Sequence, residues 1–238
     1  MRFMAWIIVV LCLVSTAGPA SAEWFVDVYG GQSFTDKNDV TVHNSAGLGI
    51  YREVEFDRSL TYGGRFGRYF DAVPFLGLGI DFFKFSPRIG PQQFHIDGCV
   101  PSGGCGGGQG GTGSIDVDTW ALSLDLLLRL PLLKTEAAPW GAIQPYVTGG
   151  LPLFNTTVTP RNTSQFRNQD GDTDRSFGYK FGGGIAFHVA RNLMFFGEYR
   201  FTHSETHVEL HDSATLRAAP VRMDLDTHSA LIGLSARW

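Results

Sequence analysis

The run from Trp120 to Leu130, WALSLDLLLRL, constrains the fold more than any other stretch of the chain. Side chains alternate across a strand, so Trp120, Leu122, Leu124, Leu126, Leu128 and Leu130 share one face. Ala121, Ser123, Asp125, Leu127 and Arg129 share the other. A helix would spread leucine all round and bury Asp125 and Arg129 without reason. A soluble strand averages about 5–6 residues, whereas a strand that crosses a bilayer takes about 9–11. A long apolar wall backed by small and charged residues predicts a β-barrel in lipid.

The N-terminus agrees with export. Arg2 precedes an apolar core, Trp6 to Val14, that is too short to span a bilayer, and Ala20-Ser21-Ala22 is a small-residue cleavage site. Residues 1–22 are therefore expected to be a cleaved signal peptide and residues 23–238 the barrel domain, with Glu23 as the mature N-terminus. Cys12 sits inside the apolar core and leaves with it. No later stretch offers about 18 consecutive apolar residues, so no transmembrane helix is expected. An exported chain with amphipathic strands and no helical anchor points to the outer membrane of a Gram-negative bacterium. The formal net charge of −4 speaks against nucleic acid as a partner. Thirty glycines and 13% aromatic residues suit a barrel packed closely inside and girdled by rings at its interfaces.

The same alternation marks eight strands. They run from Trp24 to Phe34, Ser59 to Tyr69, Pro74 to Phe85, Asp116 to Leu130, Ile143 to Phe154, Ser176 to Val189, Leu193 to His203 and Asp224 to Trp238. The fifth is the weakest, because Pro145 and Pro152 both interrupt it. The connections alternate long and short, as in an outer-membrane barrel with long extracellular loops and short periplasmic turns. The expected fold is all-β: an eight-stranded antiparallel up-and-down transmembrane β-barrel. Ten strands arise instead if Ala46 to Glu55 or Ser204 to Leu216 folds into a hairpin.

The inward face separates this chain from a lipocalin-like barrel, which turns its apolar residues inward. Here the inward residues are mainly Gly, Ser, Thr and Ala with isolated ions. Asp27, Asp81, Asp125 and Glu198 stand against Arg65, Arg129, Lys180, Arg200 and Arg237. An eight-stranded interior is only wide enough for side chains to fill, and buried ions must be paired. Two readings follow: a salt-bridged plug, or a narrow gated pore whose ions switch partners.

With the strands laid out, the chain resembles the small outer-membrane β-barrel family of opacity-type and porin-like surface proteins. The resemblance rests on Tyr62-Gly63-Gly64-Arg65-Phe66-Gly67-Arg68-Tyr69, Gln144-Pro145-Tyr146-Val147 with Gly149-Gly150, and Gly182-Gly183-Gly184-Ile185. It continues in Glu198-Tyr199-Arg200-Phe201 and the ending Gly233-Leu234-Ser235-Ala236-Arg237-Trp238. It implies an eight-stranded barrel inserted by the outer-membrane assembly machinery, and a role that varies among surface structural proteins, adhesins and small porins. It further implies that this machinery reads the terminal strand, here Ile232, Leu234, Ala236 and Trp238. The chain departs from the pattern in ending on Trp where Phe is commoner, and in its cysteine-bearing loop.

Other constellations are weaker. Cys99 and Cys105 flank VPSGG in a predicted extracellular loop, and two cysteines so placed in an exported chain predict a disulfide. His203, His207 and His211 recur at even spacing, but as solvated loop residues rather than a metal site. Asp170-Gly171-Asp172-Thr173-Asp174 opens like a calcium loop, yet Phe181 stands where the twelfth-position Glu belongs. Asn155 and Asn162 lie in glycosylation sequons without meaning in bacteria. Neither a metal nor a cofactor is expected.

An enzyme of the lipid A deacylase type would need a His and Ser together on the lipid face. His43 and Ser45 lie in the first loop, and His203-Ser204 and His228-Ser229 are neighbours that point to opposite faces. The expectation is therefore a monomeric, non-enzymatic barrel whose loops carry any specificity. Its partners would be outer-membrane lipid and lipopolysaccharide, the assembly machinery, and a host or surface ligand. A narrow pore and a deacylase-like enzyme are the alternatives.

Overall fold

The computed structural model describes residues 23–44, 47–99, 105–111, 113–136, 138, 141–161, 166, 171–211 and 217–238. The expected signal peptide, Ser45, Asn162 and Asp170 lie outside these residues. One antiparallel sheet contains thirteen strands. They are β1 (Trp24–Thr35), β2 (Asn38–Asn44), β3 (Gly47–Val54), β4 (Ser59–Tyr69), β5 (Leu76–Phe85), β6 (Arg88–Ile89), β7 (Gln93–Cys99), β8 (Cys105–Gly111), β9 (Ser114–Arg129), β10 (Ile143–Arg161), β11 (Asp172–Ala190), β12 (Leu193–His211) and β13 (Ala218–Arg237).

Eight of these close a ring in the order β1-β4-β5-β9-β10-β11-β12-β13, and β1 pairs with β13 to complete it. Closure leaves the wall without a free edge, which hydrocarbon demands. The outward rows are apolar and bare. Leu60, Leu124 and Phe177 are 72%, 63% and 80% exposed, while Arg65, Asp125 and Lys180 in the alternate rows are buried. A water-soluble barrel has the reverse distribution.

Pro145 and Pro152 both lie within β10. Pro152 pairs with Ser123 of β9, but the ladder to β11 skips Leu151 and Pro152 and resumes in the same register at Leu153↔Phe177. A residue without an N–H can sit in a strand only where a rung is missing.

The wall continues beyond the membrane band. β10, β11, β12 and β13 reach Arg161, Asp172, His211 and Ala218, so much of two predicted loops is strand. The register between β12 and β13 runs unbroken from Leu193↔Ala236 to His211↔Ala218. These extensions escape the apolar-outward pattern because their polarity is inverted. Along β12, Tyr199 and Phe201 face out and Glu198 and Arg200 face in. Further along, His203, Glu205, His207 and Glu209 face out, while Val208 and Leu210 are buried inside. The inversion marks where lipid gives way to water.

Both long polar connections also hold strands. β2 joins the upper part of β13 through Val42↔Val221, β3 pairs β2, β7 pairs β3 and β8 pairs β7. This crown turns Val40, Val42 and Tyr51 onto a core shared with Val117, Val158, Leu210, Val221 and Met223, and Ile96 packs against it. Of the two segments that would have made ten strands, Gly47–Val54 pairs in the crown as β3 and residues 204–211 lie in β12, paired with β13. Neither adds to the ring.

Cys99 of β7 stands directly opposite Cys105 of β8 in the register. Directly opposed residues of antiparallel strands have Cα atoms about 4.5 or 5.5 Å apart. Both spacings fall inside the range of about 4.4–6.8 Å that a disulfide spans. Peptide mapping without reductant should therefore link Cys99 to Cys105 in exported protein. Free thiols at both positions would refute the linkage. Cys99→Ser should leave barrel assembly intact, because the pair lies outside the ring.

Candidate functional site

The lumen holds the chemistry of the ring. The inward row of β1 is Glu23, Phe25, Asp27, Tyr29, Gly31, Ser33 and Thr35, and its register on β4 sets Asp27 beside Arg65. The next two ladders set Arg65 opposite Asp81 and Gly79 opposite Asp125. β11 contributes Lys180, and β12 contributes Glu198 and Arg200.

These seven ions form one cluster. Lys180 Nζ lies 2.5 Å from Asp81 and 2.7 Å from Asp125. Arg65 reaches Glu198 at 2.9 Å and lies 3.5 Å from Asp125, 3.6 Å from Asp27 and 3.8 Å from Asp81. Arg200 joins Glu198 at 2.7 Å and Asp81 at 3.2 Å. Two tyrosines complete the shell. Tyr29 donates its hydroxyl to Asp81 at 2.6 Å and accepts from Arg200 at 2.9 Å, and Tyr146 donates to Glu198 at 3.0 Å. Both rings cross the lumen over glycines. A Cβ on Gly63 would lie 2.6 Å from the Tyr29 hydroxyl, and one on Gly184 would lie 2.8 Å from that of Tyr146.

A second cluster closes the end of the lumen away from the crown. Glu23 bonds Arg129 and, at 3.1 Å, Arg237, which also donates to Gln144 at 2.5 Å. Tyr69 lies between them, with the Arg129 guanidinium 3.6 Å from its ring centre. The sequence reading counts four carboxylates against five cations. Glu23 supplies the fifth, so the ten buried charges among the described residues balance. Its parity with Asp27 on β1 is the signal that would have placed it. Tyr29, Tyr69, Tyr146 and Gln144 also lay outside that reading, because apolar-looking rings and one amide do not stand out on an inward row.

Above the ions, hydroxyls link neighbouring strands along the lumen wall. Ser33 bonds Ser229 at 2.7 Å and also bonds Thr61, and Thr119 meets Thr156 at 3.1 Å. Above them lies the apolar core. Between the two ionic clusters a cavity of about 10 Å³ touches Asp27, Arg65, Ser235 and Arg237. It is sized for one water. The cavity in the upper apolar core is about 30 Å³. Neither admits a solute.

Comparisons with known proteins agree with this geometry. The profile of the outer membrane protein beta-barrel domain matches residues 8–237. The chain belongs to this family.

Among solved structures, OprG of Pseudomonas aeruginosa aligns over 93% of this chain and 98% of its own, with TM-score 0.58 and 16% identity. The Escherichia coli outer membrane protease OmpT aligns over 94% and 100%, with TM-score 0.50 and 8% identity. Neisserial surface protein A aligns over 90% and 97%, with TM-score 0.46 and 12% identity. Identities this low show the fold alone. No curated protein matches the chain in sequence.

This outer-membrane barrel carries further polar groups on its outer face. His203 Nδ1 lies 2.5 Å from Asp226, and His228 lies 3.2 Å from Asp36 and 2.6 Å from the Tyr199 hydroxyl. These histidines have acidic partners that the sequence did not place. Ser204 and Ser229, however, are buried on the lumen side, and Ser229 bonds Ser33. His203, His207 and His211 share the outer face of β12. Asp174 and Asp172 accept the backbone N–H groups of His207 and Glu209 at 2.9 and 2.8 Å, so the acidic stretch caps a strand edge. Among the described residues no group of three or more metal-binding side chains is assembled.

On the crown, Arg52 links Asp39 at 2.6 Å and Asp97 at 2.8 Å, and His95 lies 3.2 Å from Asp97. The Glu53 N–H holds the Asp39 carboxyl below its ordinary range, with help from Arg52, and the Arg52 guanidinium does the same for Asp97. A carboxylate with a lowered value adds stability above its unfolded value, about 3.9 for Asp, and loses it as pH falls through the lowered one.

Glu198 is the carboxylate that joins both arginines of the central cluster to Tyr146. Glu198→Ala leaves Arg65 short of its nearest anion, and breaking a buried pair costs about 3–5 kcal/mol. Reversible urea unfolding of the refolded protein should show a loss of that order. A change within error would mean that the lumen is wet at this level.

Proposed function

We propose that this barrel is a closed scaffold whose extracellular crown serves as a surface-interaction module. The observation that carries the reading is the ionic network of the lumen, whose central cluster bridges β1, β4, β5, β9, β11 and β12 and whose charge balances that of Glu23, Arg129 and Arg237. A conducting path would have to part charges buried in pairs, and an unpaired buried charge costs several kcal/mol. The hydroxyl layer and the apolar core stand in series with it. Investment in structure lies instead at the outer end, where both long connections fold into ordered strands. An interaction surface for a host or environmental ligand fits that distribution.

The decisive measurement is planar-bilayer conductance of the refolded protein. No steps above background are expected. Reproducible steps would overturn the closed-scaffold reading in favour of a gated pore. The same preparation should release no fatty acid from lipopolysaccharide, and release would establish the deacylase class.

The same reading covers biogenesis. Residues 1–22 act as the export signal, cleavage leaves Glu23 at the N-terminus, and the assembly machinery reads Ile232, Leu234, Ala236 and Trp238 on the final strand. Trp238 contributes one interfacial ring and a pair of backbone hydrogen bonds with Trp24: its N–H donates to the Trp24 carbonyl at 3.1 Å and its carbonyl accepts from the Trp24 N–H at 2.9 Å. Deleting it should lower outer-membrane levels in cells severely while detergent refolding changes little. Normal levels in cells would show that this ending is not an assembly signal.

A further inference from the structure

The crown ends in an unusual edge. β8 is the last strand of the path β13-β2-β3-β7-β8, and its far side has no strand partner among the described residues. From Gly106 to Gly111 every residue but Gln109 is glycine. Glycine weakens a strand, and edge strands are ordinarily guarded by lysine, proline or a bulge. None of these guards is present from Gly106 to Gly111.

Internal packing explains only part of this composition. A Cβ on Gly107 would lie 2.8 Å from Nε2 of His95, so that glycine makes room for the His95–Asp97 pair. Among the described residues Gly106 and Gly108 have nothing within 4 Å of a Cβ, and both are exposed. No packing among the described residues accounts for them. Glycine in a strand marks a bulge, a tight bend, or a place where a ligand or another backbone approaches closely, and the β7–β8 register runs without a bulge.

The geometry points to β8 as a strand-addition site that takes an extended segment of another polypeptide. The edge offers main-chain N–H and carbonyl groups in alternation along an extended chain, and only another extended backbone repeats that pattern. The two faces of the crown sheet specify what such a segment looks like. One face carries Arg52, His95 and Asp97. The other carries Tyr51 and Ile96, packed on the crown core, and extends past them to Gly106 and Gly108. An added strand continues both faces, so its side chains alternate polar and apolar. This inference rests on the crown being an interaction surface and names the chemistry of its partner.

The test uses the full-length protein refolded in detergent and a labelled, end-blocked peptide of alternating threonine and valine with terminal lysines. Saturable binding in fluorescence anisotropy is expected, with slowed hydrogen exchange confined to Gly106–Gly111. A peptide N-methylated at alternate residues, on the edge that pairs, should not bind. Gly106→Lys with Gly108→Lys has space for both side chains and installs the natural edge guard, so binding should weaken by about tenfold or more. Heat-modifiable gel mobility should confirm that the variant is folded.

Absence of saturable binding, or equal binding by the methylated peptide or the lysine variant, would overturn the proposal. Dimerisation of the peptide-free protein that the lysine pair abolishes would also overturn it, since the edge would then serve a second copy. Either result leaves the closed lumen standing, because conductance tests that separately.

Discussion

Every feature of this molecule depends on closing a sheet with no free backbone group in hydrocarbon. That requirement fixes the ring, and the ring fixes the fate of each side chain through strand parity alone. Once Leu124 and Leu126 face lipid, Asp125 has to face the lumen. It has to find a cation there, because no water competes for it. The cluster of Lys180, Arg65 and Arg200 around Asp81, Asp125 and Glu198 follows from a wall built for lipid. Replacing such a network by apolar residues is often neutral or stabilising, so its presence is weak evidence for stability as such. Its clearer consequence is register. Each ion pair fastens two strands at one level, and a one-residue slip would carry an ion into the bilayer.

Much of this was legible in the sequence because a membrane strand states its face plainly. Trp120 to Leu130, the Leu76-Leu78-Ile80-Phe82 row and the Phe195-Tyr199-Phe201 row all project outward as their alternation implies. The less legible parts share one cause. A reading tuned to apolar-outward strands does not see strands whose apolar side is inward. Val208 and Leu210 alternate as strictly as the leucines of β9, but with histidine and glutamate on the outer face. They are strands in water, and their pattern is that of a soluble sheet. The crown strand β2 escaped for the same reason, β3 entered only through the alternative hairpin over Ala46 to Glu55, and β8 escaped because glycine carries no pattern at all.

The lumen shows the complementary limit. Charged residues announce themselves, and nine of the ten buried ions were recognisable from parity. Their partners among the rings were not. Tyr29 and Tyr146 read as aromatic girdle residues on any composition argument, and only the register that sets each beside a glycine shows that they cross the interior. The two clusters together carry no net charge, which suits a closed core better than an ion path. A path is normally lined by an excess of one sign.

The inversion of polarity along the strands has a consequence for where the protein can reside. On β9 the outward apolar row runs from Leu130 to Trp120 and then meets Asp118. On β5 it meets Lys84 after Phe82, and on β13 it meets Asp226. These charged residues stop the apolar rows and pair with neighbours, Lys84 with Asp118 and Asp226 with His203, as parts of a polar collar. A charge dragged to the bilayer midplane costs up to about 2–4 kcal/mol for a cation, so the collar resists sinking and the apolar rows below it resist rising. The barrel thus carries a built-in measure of hydrophobic thickness. A bilayer of another thickness would have to deform around it, at a modest cost for each ångström of mismatch.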